Sequence, residues 1–403
     1  MALTIAALLA GAAGVLRADP VGQADPATPP DAPLSDSQAR LLALAMNAAS
    51  KLPHHPYIKD RSRLQMHVVD ACLQLDQPSL ATRYMKRIDN WRRGQAAAEY
   101  AIYLAERGYR DEIERYVRIA VAYAQAADAD WRKAHIRLRV AQARMLTGDP
   151  NAATRFNDQL EDQTYRGRTA VTRARIGDPQ SHEQLVQRLD ELIGSRTFDA
   201  IVNASAGYVE LYRRYYQDPS RREEFEKKIR QAYRNMAVAD TLDMLMELGQ
   251  VALEQDDPKA ALRLVSEAED LADRAKWPAH REYEAQYRAR LARLRYEAGD
   301  QEQARSDLDE ALAAQIERFD ELQTFRRADA LTPVAEAYQL MGAKEKSLAV
   351  YEQAVKEFSK NRNFRVRVED LTAICVSLAL HEVQPTDNLW SLLEARYEDL
   401  GPP

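Results

Sequence analysis

One local event recurs along this chain and constrains its fold more than anything else in it. An apolar helical stretch ends, a short turn built from Gly, Asp or Pro follows, and a second apolar stretch begins. The turns are LDQP at 75–78, RGYR at 107–110, TGDP at 147–150, IGDP at 176–179, YQDP at 216–219, QDDP at 255–258, AGDQ at 298–301, MGAK at 341–344 and VQP at 383–385. Gly closes a helix in the left-handed conformation at little cost, Asp caps the helix that follows, and Pro suits its first turn. Gly148, Asp149 and Pro150 supply those three roles in order, and Gly177, Asp178 and Pro179 repeat them. Successive turns lie 29 to 43 residues apart. A recurrence of that length, with two helices per unit, predicts an all-α solenoid of about eight or nine antiparallel helix pairs.

Composition agrees with long helices. Ala, Leu, Arg, Glu and Gln dominate, aromatic residues are 7% of the chain and Gly is 14 of 403 residues, too little β-branched and turn chemistry for a sheet. Lys and Arg number 56 against 62 Asp and Glu, a net of -6, which argues against a general nucleic-acid binder. With both signs interspersed, most charges read as solvated helix faces. Cys72 and Cys375 lie about three hundred positions apart, each inside an apolar helical pattern. In a solenoid only neighbouring repeats touch, so the two are expected to stay apart as small buried hydrophobes.

Three segments divide the chain. Residues 1–18 contain the apolar run LTIAALLAGAAGVL at 3–16, the length of a signal-peptide core and too short to span a bilayer as a helix. No Lys or Arg precedes it. Export to the periplasm or outside the cell is the expectation if the leader is a signal peptide, and a cytoplasmic protein otherwise. Residues 19–36, rich in Pro, Asp and Ala, predict an extended, disordered linker, with Ser35 or Asp36 capping the first helix. The helical repeat domain then covers 37–400, most regular over 240–360. Asp320 to Arg327 is expected to extend a helix, and Pro278 and Pro333 each to begin or kink one.

The side chains around several turns resemble the tetratricopeptide repeat family. Leu331, Val334, Ala335 and Tyr338 precede the turn at Gly342, and Ser347, Tyr351 and Ala354 follow it at that family's offsets. Leu245, Leu248, Gly249 and Ala252 with Ala261, Val265 and Ala268 repeat the pattern, Gly249 at the small position where the helices of a pair approach. Around Gly299 the aromatic position carries Arg295 instead. The units turning at 177, 217 and 384 keep only the helix–turn–helix outline. The resemblance implies a curved right-handed array whose first helices, the A helices, form a concave binding face. The Lys–Asn set by which one subclass grips the chaperone carboxylate is not present, its positions carrying Leu138 and Gln142, or Thr332 and Glu336, so that ligand class is not what the resemblance leads one to expect.

No phosphate loop, dinucleotide fingerprint, HExxH, CxxC or GxSxG occurs, so no catalytic residue, cofactor or metal site is predicted. His54-His55 lacks partners for a tetrahedral metal site and reads as loop. Three basic clusters stand out, at 83–93, 132–144 and 213–234, together with the group Tyr208, Tyr212, Tyr215 and Tyr216. Candidate binding residues are therefore Arg137, Arg139, Arg144, Tyr208, Tyr212 and Arg213, with Arg293 and Tyr296 ahead of the turn at 299. Ordinary roles compete: the arginines as surface ion pairs and the tyrosines as core. The sequence supports a noncatalytic scaffold whose partner is another protein or peptide, with no nucleic acid and no transmembrane helix. Its alternatives are an envelope component binding an anionic polymer or acidic peptide through the Arg-rich helices, and an enzyme whose site is assembled between distant helices.

Overall fold

The computed structural model describes residues 29–149, 151–152, 171–175, 182–195, 197–275 and 281–401, and the possible leader at 1–18, Trp277-Pro278 and the turn at 177 lie outside them. The described residues form helices and no strand. After α1 (Asp36–Ala49), the helices follow one another as inner and outer members of pairs. These are α2 (His54–Gln74) with α3 (Pro78–Met85), and α4 (Arg92–Glu106) with α5 (Ile113–Ala126), followed by the inner α6 (Asp130–Leu146). Beyond helical residues 171–175 and α7 (His182–Gly194) come α8 (Phe198–Arg214) with α9 (Pro219–Ala232), and α10 (Val238–Glu254) with α11 (Pro258–Arg274). The last are α12 (Arg281–Glu297) with α13 (Gln301–Glu317), α14 (Arg327–Leu340) with α15 (Lys344–Phe358), α16 (Phe364–Leu380) and α17 (Asp387–Glu398).

Seven inner-to-outer turns share one backbone solution. Asp76, Gly108, Gly148, Asp256, Gly299, Gly342 and Glu382 take positive φ, between 52° and 96°. In each turn the next N–H closes back to a carbonyl near the helix end, as in Gln77 to Cys72 at 2.8 Å and Asp300 to Arg295 at 3.2 Å. That is the Schellman arrangement, which satisfies the orphan carbonyls of the helix end. At the next helix, Asp257 accepts from the Ala260 N–H with Pro258 in the first turn, and Asp218 caps α9 ahead of Pro219. Ser35 caps α1 through a reciprocal capping box with Gln38.

Inner helices touch the inner helices before and after them: α2 with α4, α4 with α6, α8 with α10, and so on to α14 with α16. The segment at 171–175 bridges α6 to α7, with Gln142 donating to the Thr172 hydroxyl at 2.7 Å and Ala174 sharing a core with Leu185 and Leu189. The series does not end at α16. Helix α16 packs on α2, and α1 lies between them, taking against α16 the place an outer helix takes in the other described pairs. Leu41, Leu42, Ala45, Met46, Ala48 and Ala49 of α1 are all fully buried in one core with Val368, Leu371, Cys375 and Leu378 of α16. Across this seam the Gln38 amide donates to the Ala379 carbonyl at 3.0 Å, Arg63 meets Glu369 at 2.5 Å, and Arg40 pairs with Glu394 of α17. The array is closed into a ring.

Cys72 and Cys375 are free and buried, as expected, although closure, with α2 meeting α16, places them in one continuous core. Two expectations change. Asp320 to Arg327 does not extend a helix but forms two 3₁₀ turns, Phe319–Glu321 and Thr324–Arg326, before α14 starts. Pro333 lies inside α14, where its missing N–H leaves the Asp329 carbonyl unserved, and the Gln286 amide of α12 fills that place at 3.1 Å. The end of the linker is also fixed: Ala32 donates its N–H to Asp76 and Asp31 accepts from Ser79, pinning the chain to the α2–α3 turn.

Candidate functional site

Nine inner positions, counting 171–175, spaced by about 9 Å give a ring of roughly 13 Å radius at the helix axes. With side chains filling about 5 to 6 Å of that from each wall, this spacing would leave an opening on the order of 15 Å across. The inner wall is the concave face of the array.

Two residues mark it as both enclosed and wet. His67 of α2 and Glu247 of α10 have exposed side chains, yet burial among surrounding protein is the leading cause of the shift in each. A group on a convex surface does not combine those properties, whereas a group facing a narrow passage does. Desolvation lowers the His67 imidazole, with Arg63 adding to it. Desolvation pushes Glu247 up to about 7, with Glu210 and Asp243 repelling its charge and Arg213 countering them. Among the described residues Glu247 has no hydrogen bond or ion pair.

Around these two the wall is a belt of opposed charges carried on successive inner helices. Glu99 of α4 meets Arg139 of α6 at 2.8 Å, and both act on Asp70 of α2, whose carboxyl desolvation raises well above the usual range. Arg213 of α8 lies between Glu210 at 2.8 Å and Glu254 of α10 at 3.0 Å. Asp243 of α10 meets Arg290 of α12 at 2.6 Å and accepts from the Tyr287 hydroxyl at 3.4 Å. Glu336 of α14 accepts from Ser377 at 2.6 Å and faces His381 at 3.6 Å, whose pKa burial lowers. Asp370 of α16 is 4% exposed with its Oδ2 unpartnered, and desolvation backed by Asp329 and Glu369 pushes it up to about 9. No group of three His, Cys, Asp or Glu among the described residues is placed to hold a metal ion. The wall can hold polar and charged groups of either sign at fixed points and can change its charge near neutral pH at Glu247.

The sequence candidates separate on this frame. Arg139 and Arg213 belong to the belt, and Arg293 of α12 joins it through Glu297 at 3.0 Å and its field on His381. Tyr208 and Tyr212 are fully buried, with hydroxyls donating to Asp190 at 2.6 Å and Glu226 at 3.3 Å. Tyr296 donates to the Met341 carbonyl at 3.4 Å under Arg305, and Arg144 reaches Glu114 at 3.6 Å. Arg137 is exposed and outside any ion pair among the described residues. Much of the third basic cluster is spent on neighbours, Lys228 on Asp190 at 2.6 Å and Arg222 on Asp257 at 3.7 Å. Sequence reading missed His67, Asp70, Glu247 and Asp370. Three of the four are carboxyls inside apolar runs, HVVDACLQL, MLMELGQ and RVEDLTAIC. An acid inside such a run is the signal that finds those three.

These features define a helical repeat protein whose inner helices carry a belt of charged side chains. No family model matches the chain, and no curated protein matches it. One solved structure similar to it is described as a "Circular tandem repeat protein with novel repeat topology and enhanced subunit contact surfaces". It is 15% identical, the match covers 90% of this chain and 94% of that one, and the TM-score is 0.28. Closure of the ring rests on this chain's own contacts between α1 and α16.

Proposed function

We propose that the protein is a noncatalytic binding scaffold of tetratricopeptide-like helix pairs, and that it holds an extended segment of another protein against the inner wall of its ring. The observation that carries this reading is the pairing of exposure with enclosure at His67 and Glu247. An opening roughly 15 Å wide admits an extended chain or one helix, and excludes a folded domain. Arg139, Arg213 and Arg293 would exchange their present carboxylate partners for acidic groups of such a segment, and Glu247 would take basic ones. Export through the apolar leader fits a role outside the cytoplasm.

Photocrosslinkers at positions 67 and 247, with controls at Glu223 and Glu302 on outer helices, test it in the native extract. The reading expects discrete crosslinked partner peptides at the two inner positions and none at the outer ones. Capture only at the outer positions contradicts it.

A further inference from the structure

Closure of the ring brings together three stretches that are far apart in the sequence. Inner helices α16, α2 and α4 are consecutive neighbours, with α16 packed on α2 and α2 on α4. Their starts, with the connections leading into them, are residues 359–369, 50–63 and 83–93. Contacts between the three make one surface of them. Arg63 of α2 meets Glu369 of α16 at 2.5 Å, and Arg365 of α16 lies 3.6 Å from Asp60 of α2. On the other side His54 is 3.4 Å from Asp89, and Asn90 donates to the Ile58 carbonyl at 3.5 Å.

This surface is strongly basic. The three stretches hold thirteen Lys and Arg against three Asp and Glu, in a chain whose net charge is -6. All three acids are engaged within it: Asp60 and Glu369 each lie between Arg63 and Arg365, and Asp89 faces His54. Lys360 pairs with the buried Glu357 beneath. Lys59, Lys86 and Arg362 are exposed and in no ion pair among the described residues. Arg61 donates to the Leu52 carbonyl at 2.7 Å and Arg87 to the Ser50 hydroxyl at 2.9 Å, neutral groups that leave the charge uncompensated. Burial first, and then the charge of Arg63, lower the pKa of Arg92, as crowded cations do.

The basic arc has limits. Asp128 and Asp130 stand ahead of α6 on one side, Glu317, Asp320 and Glu321 ahead of α14 on the other, and Glu398 and Asp399 at the end of α17. The large apolar side chains exposed among the described residues, Trp131, Phe198, Val238, Ile316 and Phe325, all lie outside it. What the arc can recognise is therefore negative charge over a short length.

We propose that this arc is a docking site for a short acidic segment of another protein. Three inner helices about 9 Å apart, with their edges, span roughly 20 Å, which an extended segment of about six residues covers. Lys and Arg without carboxylates of their own take those of the segment, which relieves the repulsion among them. A long polyanion such as nucleic acid fits less well, because it runs on to the flanking acids and the remainder of the molecule is acidic. The site is separate from the inner wall of the ring.

Fluorescence anisotropy of the full chain tests this with three labelled probes: a peptide of about seven glutamates, a lysine peptide of equal length, and a single-stranded oligonucleotide of about thirty nucleotides. The glutamate peptide should bind, more weakly as salt rises, and the other two should bind roughly tenfold less tightly or worse. Lys59→Glu, Lys86→Glu and Arg362→Glu together should weaken the peptide roughly tenfold or more at an unchanged melting temperature, because none of the three has an ion pair to lose. The control Lys227→Glu, Lys259→Glu and Lys344→Glu makes the same change in net charge at exposed positions outside the arc and should bind like wild type. Absence of peptide binding at low salt overturns the proposal, as does an arc variant that binds undiminished or a control that loses as much. An oligonucleotide that binds more tightly than the peptide also overturns it, since that assigns the arc to nucleic acid. Crosslinking at positions 67 and 247 reads the inner wall and judges that reading separately.

Discussion

At the residue scale, the most telling group is a carboxyl with nowhere to put its charge. Asp370 is buried between Asp329 and Glu369 with Oδ2 unpartnered, and its pKa is pushed from 3.8 up to about 9. A carboxyl raised on folding binds its proton more tightly in the native state. Its contribution to stability is therefore complete below the unfolded value near pH 4 and is lost as pH rises towards 9, at up to about 1.4 kcal/mol per unit. Asp370→Asn keeps the shape and removes the titration. Denaturant unfolding of this variant between about pH 5 and pH 8 should lose at least about 1 kcal/mol less stability than wild type. Parallel pH curves would show that Asp370 is ionised without cost. Gly249 shows how far one residue can be read from sequence. Its need for a small side chain is legible, yet the partner differs: a Cβ there would meet Leu294 of the next inner helix at 2.7 Å, whereas the paired outer helix lies farther off at the Ala261 carbonyl, 3.9 Å.

At the scale of the helix, turns were more legible than what the helices pack against. The left-handed residue is nearly always Gly, Asp or Asn, so Gly148 and Asp256 announce a helix end whatever the surroundings. Arg295 could be seen only as a departure from the family's aromatic. In the structure it is the centre of an ion cluster, 13% exposed, reaching Glu269 of α11, Asp300 at 2.9 Å and Asp307 of α13 at 3.0 Å. Its partners come from two different helices, which no spacing rule along one helix reveals. Arg295→Ala leaves three carboxylates facing one another and should destabilise the protein by roughly 2 to 3 kcal/mol, the lower end for a broken pair because those carboxylates stay partly wet. A melting temperature within a degree of wild type would show the cluster to be ornamental.

At the scale of the molecule, the helix-pair array was legible and its closure was not. Repeat spacing counts units but does not fix the small rotation between them, and only that rotation decides whether ends meet. Closure is made by α1, whose apolar residues are buried against α2 and α16, and by the direct packing of α16 on α2. In sequence, Leu41, Leu42, Ala45 and Met46 look like any first helix. Closure joins the two ends of the concave face, gathers the basic stretches of α16, α2 and α4 into one arc, and brings Cys72 and Cys375 into one core. The direct measurement is the distance between spin labels at Arg40→Cys and Glu394→Cys by pulsed electron resonance, in a background where the two buried cysteines are replaced. A closed ring predicts one narrow population within roughly 25 Å, because the two side chains are in contact. An open array of nine inner helices, with eight intervals of about 9 Å, would set the ends up to about 70 Å apart, and a broad distribution extending well beyond 25 Å would contradict the ring.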